Sequence, residues 1–209
     1  MSEPPIHRRL GTRSRCIRCR MRLDLCLCPE ITTLEAKTRF VLIMHAKEAN
    51  KPTNTGFLVR AMLPSTEIRI RGRRDRIDLT DLSGAGLLFP LEDAEQLGPD
   101  APQTILVPDG SWRQARNIVR RDLRTFRALV LPPGPPGELR IRKHKDPSCV
   151  STLEAIARVL AIVESQELAD RMLRVFRMMV DRTLWIRGQI ATEDVYGGIA
   201  EEVLRMRGK

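Results

Sequence analysis

The chain has 209 residues, enough for one well-filled core and too few for two large domains. Its formal net charge of +10 points to a polyanionic partner, and no apolar run approaches the length of a membrane helix. Five Phe, two Trp and one Tyr are too few for a sheet surface that holds single strands by stacking bases, so the composition favours a protein that grips folded RNA by its phosphates.

In chain order, residues 1–13 read as a disordered basic arm, rich in Pro, Arg and Gly with little to bury. Residues 1–22 carry seven arginines against Glu3 alone. Five more arginines, Arg69, Arg71, Arg73, Arg74 and Arg76, crowd one short segment. Clustered charge of this kind is the footprint of a nucleic-acid binder; the plainer alternative is solvated surface in a chain with 30 Arg and 6 Lys. The arm has no apolar stretch for a secretory signal, and Glu3, Pro4 and Pro5 speak against mitochondrial targeting. The expected location is cytoplasmic, where thiols stay reduced.

Residues 14–30 form a compact module with Cys16, Cys19, Cys26 and Cys28. Four thiolates within thirteen residues are what a closed tetrahedral zinc site needs; free thiols or a redox pair are the alternatives. Cys149 stands alone, expected to be buried, and receives no catalytic role.

From residue 31 onward, strands alternate with helices, which predicts an α/β domain with a parallel sheet and flanking helices over residues 31–209. Strands are expected at Arg39–His45, around Ile68 and Ile70 as an edge strand, at Gly86–Phe89, Thr104–Pro108 and Ala128–Leu131. Helices are expected at Phe57–Leu63, from Trp112 with apolar Ala115, Val119 and Leu123, from Ser151 to about Ser165, and over Glu167–Ile186. Pro132–Gly137 reads as a long mobile loop. Ser151 and Glu154 have the spacing of a capping box.

The richest stretch is Val107-Pro108-Asp109-Gly110-Ser111-Trp112, where a strand ends in an acid, a glycine, a hydroxyl and an aromatic just as a helix begins. Open α/β sheets put ligands at the C-terminal ends of strands, and a helix start offers free N–H groups. An ordinary helix cap, with Ser111 or Asp109 as cap and Trp112 in the core, is the competing reading. Along the same helix Arg113, Arg116, Arg120 and Arg124 form a stripe suited to phosphates, or a solvated face. His45-x-x-Glu48 lacks the second histidine of a zinc protease, and position 49 is Ala49.

Asp109-Gly110-Ser111-Trp112 resembles the Asp-x-Thr-Trp signature of the DTW-domain family, with Ser111 in the threonine position. The paired cysteines, His45-x-x-Glu48, Thr53-Asn54-Thr55-Gly56, Leu88-Phe89-Pro90, Arg140 and Ser151-Thr152-Leu153-Glu154-Ala155 follow in family order. Lys51 stands where that family leads one to expect arginine. The resemblance, from about Cys16 to Val163, implies a tRNA-uridine aminocarboxypropyltransferase: the 3-amino-3-carboxypropyl group of S-adenosylmethionine moves to N3 of a uridine. It also implies a SPOUT-like, knotted topology, preceded by a zinc-ribbon-like module.

On that reading Asp109, Ser111 and Trp112 are the catalytic candidates, with Asp109 either taking the N3 proton or holding the donor's ammonium. Leu88, Phe89, Pro90, Asp109, Gly110, Thr55, Ser151, Thr152 and Glu154 would line the S-adenosylmethionine site. Arg113, Arg116, Arg120 and Arg140 would contact RNA, and the four cysteines would bind zinc. Two other readings stay open: an rRNA aminocarboxypropyltransferase or SPOUT-like methyltransferase, and a non-catalytic zinc-ribbon RNA-binding protein. The oligomeric state stays open as well.

Overall fold

A computed structural model describes residues 14–72, 77–141 and 149–207, together with the backbone of residues 8 and 9. The rest of the basic arm, and Arg73, Arg74 and Arg76, lie outside the described residues. Strands β1 (Arg8–Arg9) and β2 (Ser14–Arg15) pair antiparallel ahead of the cysteine module. The domain that follows is built on β3 (Arg39–His45), α1 (Gly56–Met62), β4 (Glu67–Arg71), β5 (Gly86–Leu88), β6 (Glu95–Gln96) and β7 (Thr104–Asp109). After these come α2 (Trp112–Ile118), β8 (Arg127–Val130), α3 (Thr152–Val163), α4 (Gln166–Ile186) and α5 (Glu201–Arg207).

Six of these strands form one sheet in the order β4-β3-β7-β5-β8-β6, every neighbouring pair parallel. The continuous apolar run Phe40–Met44 makes sense in this setting, because β3 is covered on both faces. Phe40 and Leu42 point to a core shared with α1, α3 and α4, whereas Val41 and Ile43 point to a second core under α2. Each such side chain, fully removed from water, contributes roughly 1.5–3 kcal/mol. The chain leaves β3 for β4 on one side and returns to insert β7 between β3 and β5. The C-terminal end of β7 therefore opens at the middle of the sheet, where open α/β folds bind ligands.

The expected elements are present with small shifts, and three features differ. β4 is an edge strand, but the expected alternation fails at its end: Ile68 packs partly buried on the main core, Ile70 is 54% exposed and Arg71 is buried. Asp122, arriving from the other side of the second core, pairs with the Arg71 guanidinium at 2.8 Å and satisfies it there. The helix begun at α2 widens into a π turn at Val119–Leu123, which carries Asp122. In the Pro132–Gly137 segment the Pro135 carbonyl accepts from Arg158, and a cavity of ≈ 290 Å³ lies between the segment, α3 and α4. Cys149 is only half-buried. No described helix is long and apolar enough to cross a membrane.

The cysteine module packs on the main core rather than beside it. Met21, Leu25 and Leu27 join the apolar cluster that contains α1, α3 and α4. Arg182 of α4 donates to the Cys26 carbonyl at 3.1 Å, and Arg18 donates to the Ala61 carbonyl at 3.1 Å.

Candidate active site

Asp109 ends β7, is 4% exposed, and accepts hydrogen bonds on both carboxylate oxygens. Oδ2 accepts from the Asn54 amide at 2.7 Å, and Oδ1 accepts from the Thr152 hydroxyl at 2.6 Å. These donors fix the plane of the carboxylate. Asn54 in turn accepts the Phe57 N–H through Oδ1 at 3.3 Å, so it serves the start of α1 and the carboxylate together. Gly56 is what lets α1 come this near: a Cβ there would lie 3.1 Å from Asp109 Oδ2 and 3.0 Å from Leu42.

The residues after Asp109 turn sharply into α2. A Cβ on Gly110 would sit 2.8 Å from Gln114 Cβ, so only glycine fits this turn without displacement. Ser111 is the N-cap, and its N–H donates to Gln114 Oε1 at 2.7 Å in a capping box. The Gln114 amide lies 3.4 Å from His45 Nδ1, which also accepts the Lys47 N–H at 3.1 Å. Two donors facing Nδ1 select the neutral imidazole with its proton on Nε2, and burial likewise holds the His45 pKa below its ordinary value.

Trp112 faces outward, 47% exposed, instead of joining the core stripe of its helix. Its ring stacks on Phe89 with centroids 5.0 Å apart and planes 21° apart, and the Arg116 guanidinium lies 5.7 Å from it. Leu88 and Phe89 are buried at the end of β5, and Pro90 is exposed beside them. The strand ends of β5 and β7 thus present an aromatic wall beside a buried carboxylate.

Ser151, Thr152 and Glu154 open α3, and they divide their work. Thr152 reaches Asp109, whereas Ser151 and Glu154 form a closed capping box. Glu154 Oε2 accepts the Ser151 N–H at 2.8 Å and Oε1 accepts the Glu138 N–H, so both oxygens of this buried carboxylate secure backbone. Thr55 is buried at the boundary of α1. Glu48 is buried and paired with Lys51, which accounts for the acid of the His45 motif without a metal.

Arg113, Arg116, Arg120 and Arg124 are all exposed, while Ala115, Ile118, Val119 and Leu123 of the same helix are buried. Arg140 lies apart from that stripe: its half-exposed guanidinium is held by Asp181, a buried carboxylate of α4. Asn54 and Gly56 belong to the 53–56 motif of the family resemblance, without an individual role there, and the sequence does not single out Asp181.

The four cysteine sulfurs lie within 4.8 Å of one another, with Cys16 to Cys28 at 3.4 Å and Cys19 to Cys26 at 3.6 Å. Four ligands at zinc–sulfur distance form a tetrahedron with edges of about 3.8 Å, so the cluster has the right size. Backbone N–H groups of Leu27 and Cys28 point at Cys19 and Cys26 sulfurs at 3.5 Å each. Hydrogen bonds from Cys19 and Cys28 push the Cys26 thiol down to about 2, and sharing a proton with that thiolate pushes Cys19 up to about 12. Four sulfurs at this spacing are a donor set that a soft cation would hold as thiolates.

The tRNA-uridine aminocarboxypropyltransferase 2 of Macaca fascicularis is 31% identical over 170 residues, 73% of this chain and 57% of that protein. The protein of the same name from Mus musculus is 29% identical over 203 residues, covering 88% of this chain and 68% of its own length. This chain therefore spans little more than half of the macaque relative. Among solved structures, the SAM-dependent rRNA:acp-transferase Tsr3 from Vulcanisaeta distributa aligns with a TM-score of 0.49 at 17% identity, over 81% of this chain and 89% of that one. The DTW-domain family profile matches residues 13–184, most of the length, and the chain belongs to the DTW-domain family.

Proposed function

We propose that this chain is an S-adenosylmethionine-dependent transferase that moves the 3-amino-3-carboxypropyl group to N3 of a uridine in tRNA and releases methylthioadenosine. The observation that carries this reading is the Asp109 node at the centre of the sheet, in a chain that belongs to the DTW-domain family. The names of the mammalian relatives support the transferred group and the RNA class. In the reaction a carbon–sulfur bond of the sulfonium breaks, a carbon–nitrogen bond to N3 forms, and the N3 proton is lost. A cytoplasmic location and the knotted threading go with this reading.

The fixed Asp109 carboxylate suits either of two tasks, accepting the N3 proton or holding the cationic end of the donor. The Phe89–Trp112 wall would exclude water on one side, and the N–H groups at the starts of α2 and α3 suit the donor's carboxylate. The exposed arginines of α2 would hold tRNA phosphates in register. Incubating the protein with labelled S-adenosylmethionine and bulk tRNA should give labelled tRNA and methylthioadenosine. Release of S-adenosylhomocysteine would indicate methyl transfer instead. Asp109→Asn keeps the shape and should lower turnover about 10²–10⁴-fold. Unchanged donor affinity in calorimetry assigns Asp109 the proton, and weakened affinity assigns it the donor. Wild-type rate and affinity would reduce the segment to a helix cap.

We further propose that Cys16, Cys19, Cys26 and Cys28 hold one zinc, which would supply a covalent cross-link to a module too small to fold alone. Metal analysis of protein purified without added zinc should find about one equivalent, and Cys16→Ser should lose it together with thermal stability. Less than about a tenth of an equivalent, with stability unchanged in the variant, would exclude the site.

A further inference from the structure

We propose that a cavity at the far end of α2 binds one unstacked nucleotide of the RNA substrate, separate from the uridine that would sit at Asp109. The cavity, ≈ 320 Å³, lies between residues 77–80 and the turn 121–126. That is the lower end of the ~300–1,000 Å³ usual for small-ligand sites. Its apolar wall is Ile77, Leu79 and Phe126, which pack on the second core yet stay half-buried. An apolar wall that includes an aromatic ring takes the flat face of a base, whichever base it is. Polar groups of three kinds complete the lining. Arg121 supplies a guanidinium and Thr125 an exposed hydroxyl. Asp78 supplies a carboxylate whose Oδ1 accepts the Thr80 N–H at 3.0 Å and the Thr80 hydroxyl at 2.8 Å. Among the described residues no donor meets Asp78 Oδ2 and no carboxylate meets Arg121. Phosphate, sugar and base edge each have a partner of the right chemistry here.

The π turn at Val119–Leu123 produces this lining. Its wider winding turns Asp122 inward onto Arg71, while the adjacent Arg121 is left at the cavity. Turns of this kind loosen the helix ladder and recur at functional sites. The position suits an RNA chain as well. From Trp112 to Arg121 the helix advances roughly 14 Å at about 1.5 Å per residue, with exposed Arg116 and Arg120 in between. One stretch of RNA can therefore cross the arginine stripe by its phosphates and set a base into the site at each end. Phosphate contacts carry no sequence information, and folded RNA is read through its unpaired loop nucleotides. The cavity thereby adds a selectivity that the stripe lacks.

This inference rests on the reading of the chain as a tRNA-modifying enzyme, and binding and turnover are measured separately so that either can fail alone. Thr125→Trp fills the cavity from its exposed rim without changing charge. Phe126→Leu keeps an apolar side chain on the core but removes the ring, and Arg121→Gln removes the cation. Affinity of the full chain for bulk tRNA and for a blunt RNA duplex is measured from about 50 to about 300 mM salt, with melting temperature and methylthioadenosine release alongside. Thr125→Trp and Phe126→Leu should each weaken tRNA binding about 5- to 150-fold, the strength of one base–ring contact, with the salt slope unchanged. Arg121→Gln should make the slope shallower by about one. Thr125→Trp with tRNA affinity within about twofold of wild type, at a retained melting temperature, overturns the proposal; should that variant melt early, Phe126→Leu decides instead. An equal loss on the duplex, which has no unpaired base to offer, overturns it too. Mixed nucleoside 5′-monophosphates are the last probe. Saturable binding that Thr125→Trp abolishes, with tRNA affinity untouched, makes the cavity a free-nucleotide site and overturns the RNA assignment. The expected losses in a protein whose wild type releases no methylthioadenosine keep the cavity and remove the proposed reaction. Release of methylthioadenosine with unaltered tRNA affinities does the reverse.

Discussion

Strand β4 and helix α2 are both written in arginine, and they use it in opposite ways. On β4, Arg69 is held by Glu67 and Asp81, and Arg71 is buried against Asp122. On α2 and the turn after it, Arg113, Arg116, Arg120 and Arg124 point to solvent, and none meets a carboxylate among the described residues. The difference teaches that a cluster of basic residues becomes an interaction surface only where the fold leaves it unneutralised. β4 commits its described arginines to architecture, and α2 leaves its own exposed to solvent.

The comparison can be broken most forcefully at Asp122. Asp122→Ala should leave Arg71 as an uncompensated buried cation and cost about 3–5 kcal/mol in urea unfolding. Replacing both partners with apolar residues, as Arg71→Met with Asp122→Leu, should recover most of that loss. A loss below about 1 kcal/mol for Asp122→Ala would put the pair with ordinary surface contacts.

A smaller effect on stability, and a larger one on binding, is expected from α2. Arg116→Ala with Arg120→Ala should change stability within about 0.5 kcal/mol. The same pair should make the tRNA salt slope shallower by roughly two units, with affinity for S-adenosylmethionine unaltered. Arg69→Ala serves as the contrast, since its charge is already balanced, and its slope should match wild type. Equal slopes for all three proteins would show the α2 stripe to be merely solvated.

Much of the sheet was legible because parallel strands covered on both faces carry unbroken apolar runs, as Phe40–Met44 does. The strand end at Asp109 was legible because glycine and a helix cap follow it immediately. β6 was not, being two exposed residues whose pairing is decided by β8. The Arg71–Asp122 pair was hidden by a separation of 51 residues and by a π turn that no periodicity announces. Trp112 matched the apolar spacing of its helix, yet it stands at the first helical position just beyond the end of β7, and its ring meets Phe89 and solvent instead of the core. Asn54 was legible as part of the 53–56 motif, but its bond to Asp109 was not, since the two are 55 positions apart.

Asp109 also bears on how the protein becomes active. Its two hydrogen-bond donors come from 55 residues upstream and 43 residues downstream, on segments that meet only when the sheet and α3 have closed over each other. Contacts of such sequence separation form late, after the loops between them have lost their freedom. A refolding chain therefore regains its helices well before it regains this carboxylate's orientation. On the function proposed above, a half-built molecule lacks this oriented carboxylate, so activity should return only with the last long-range contacts.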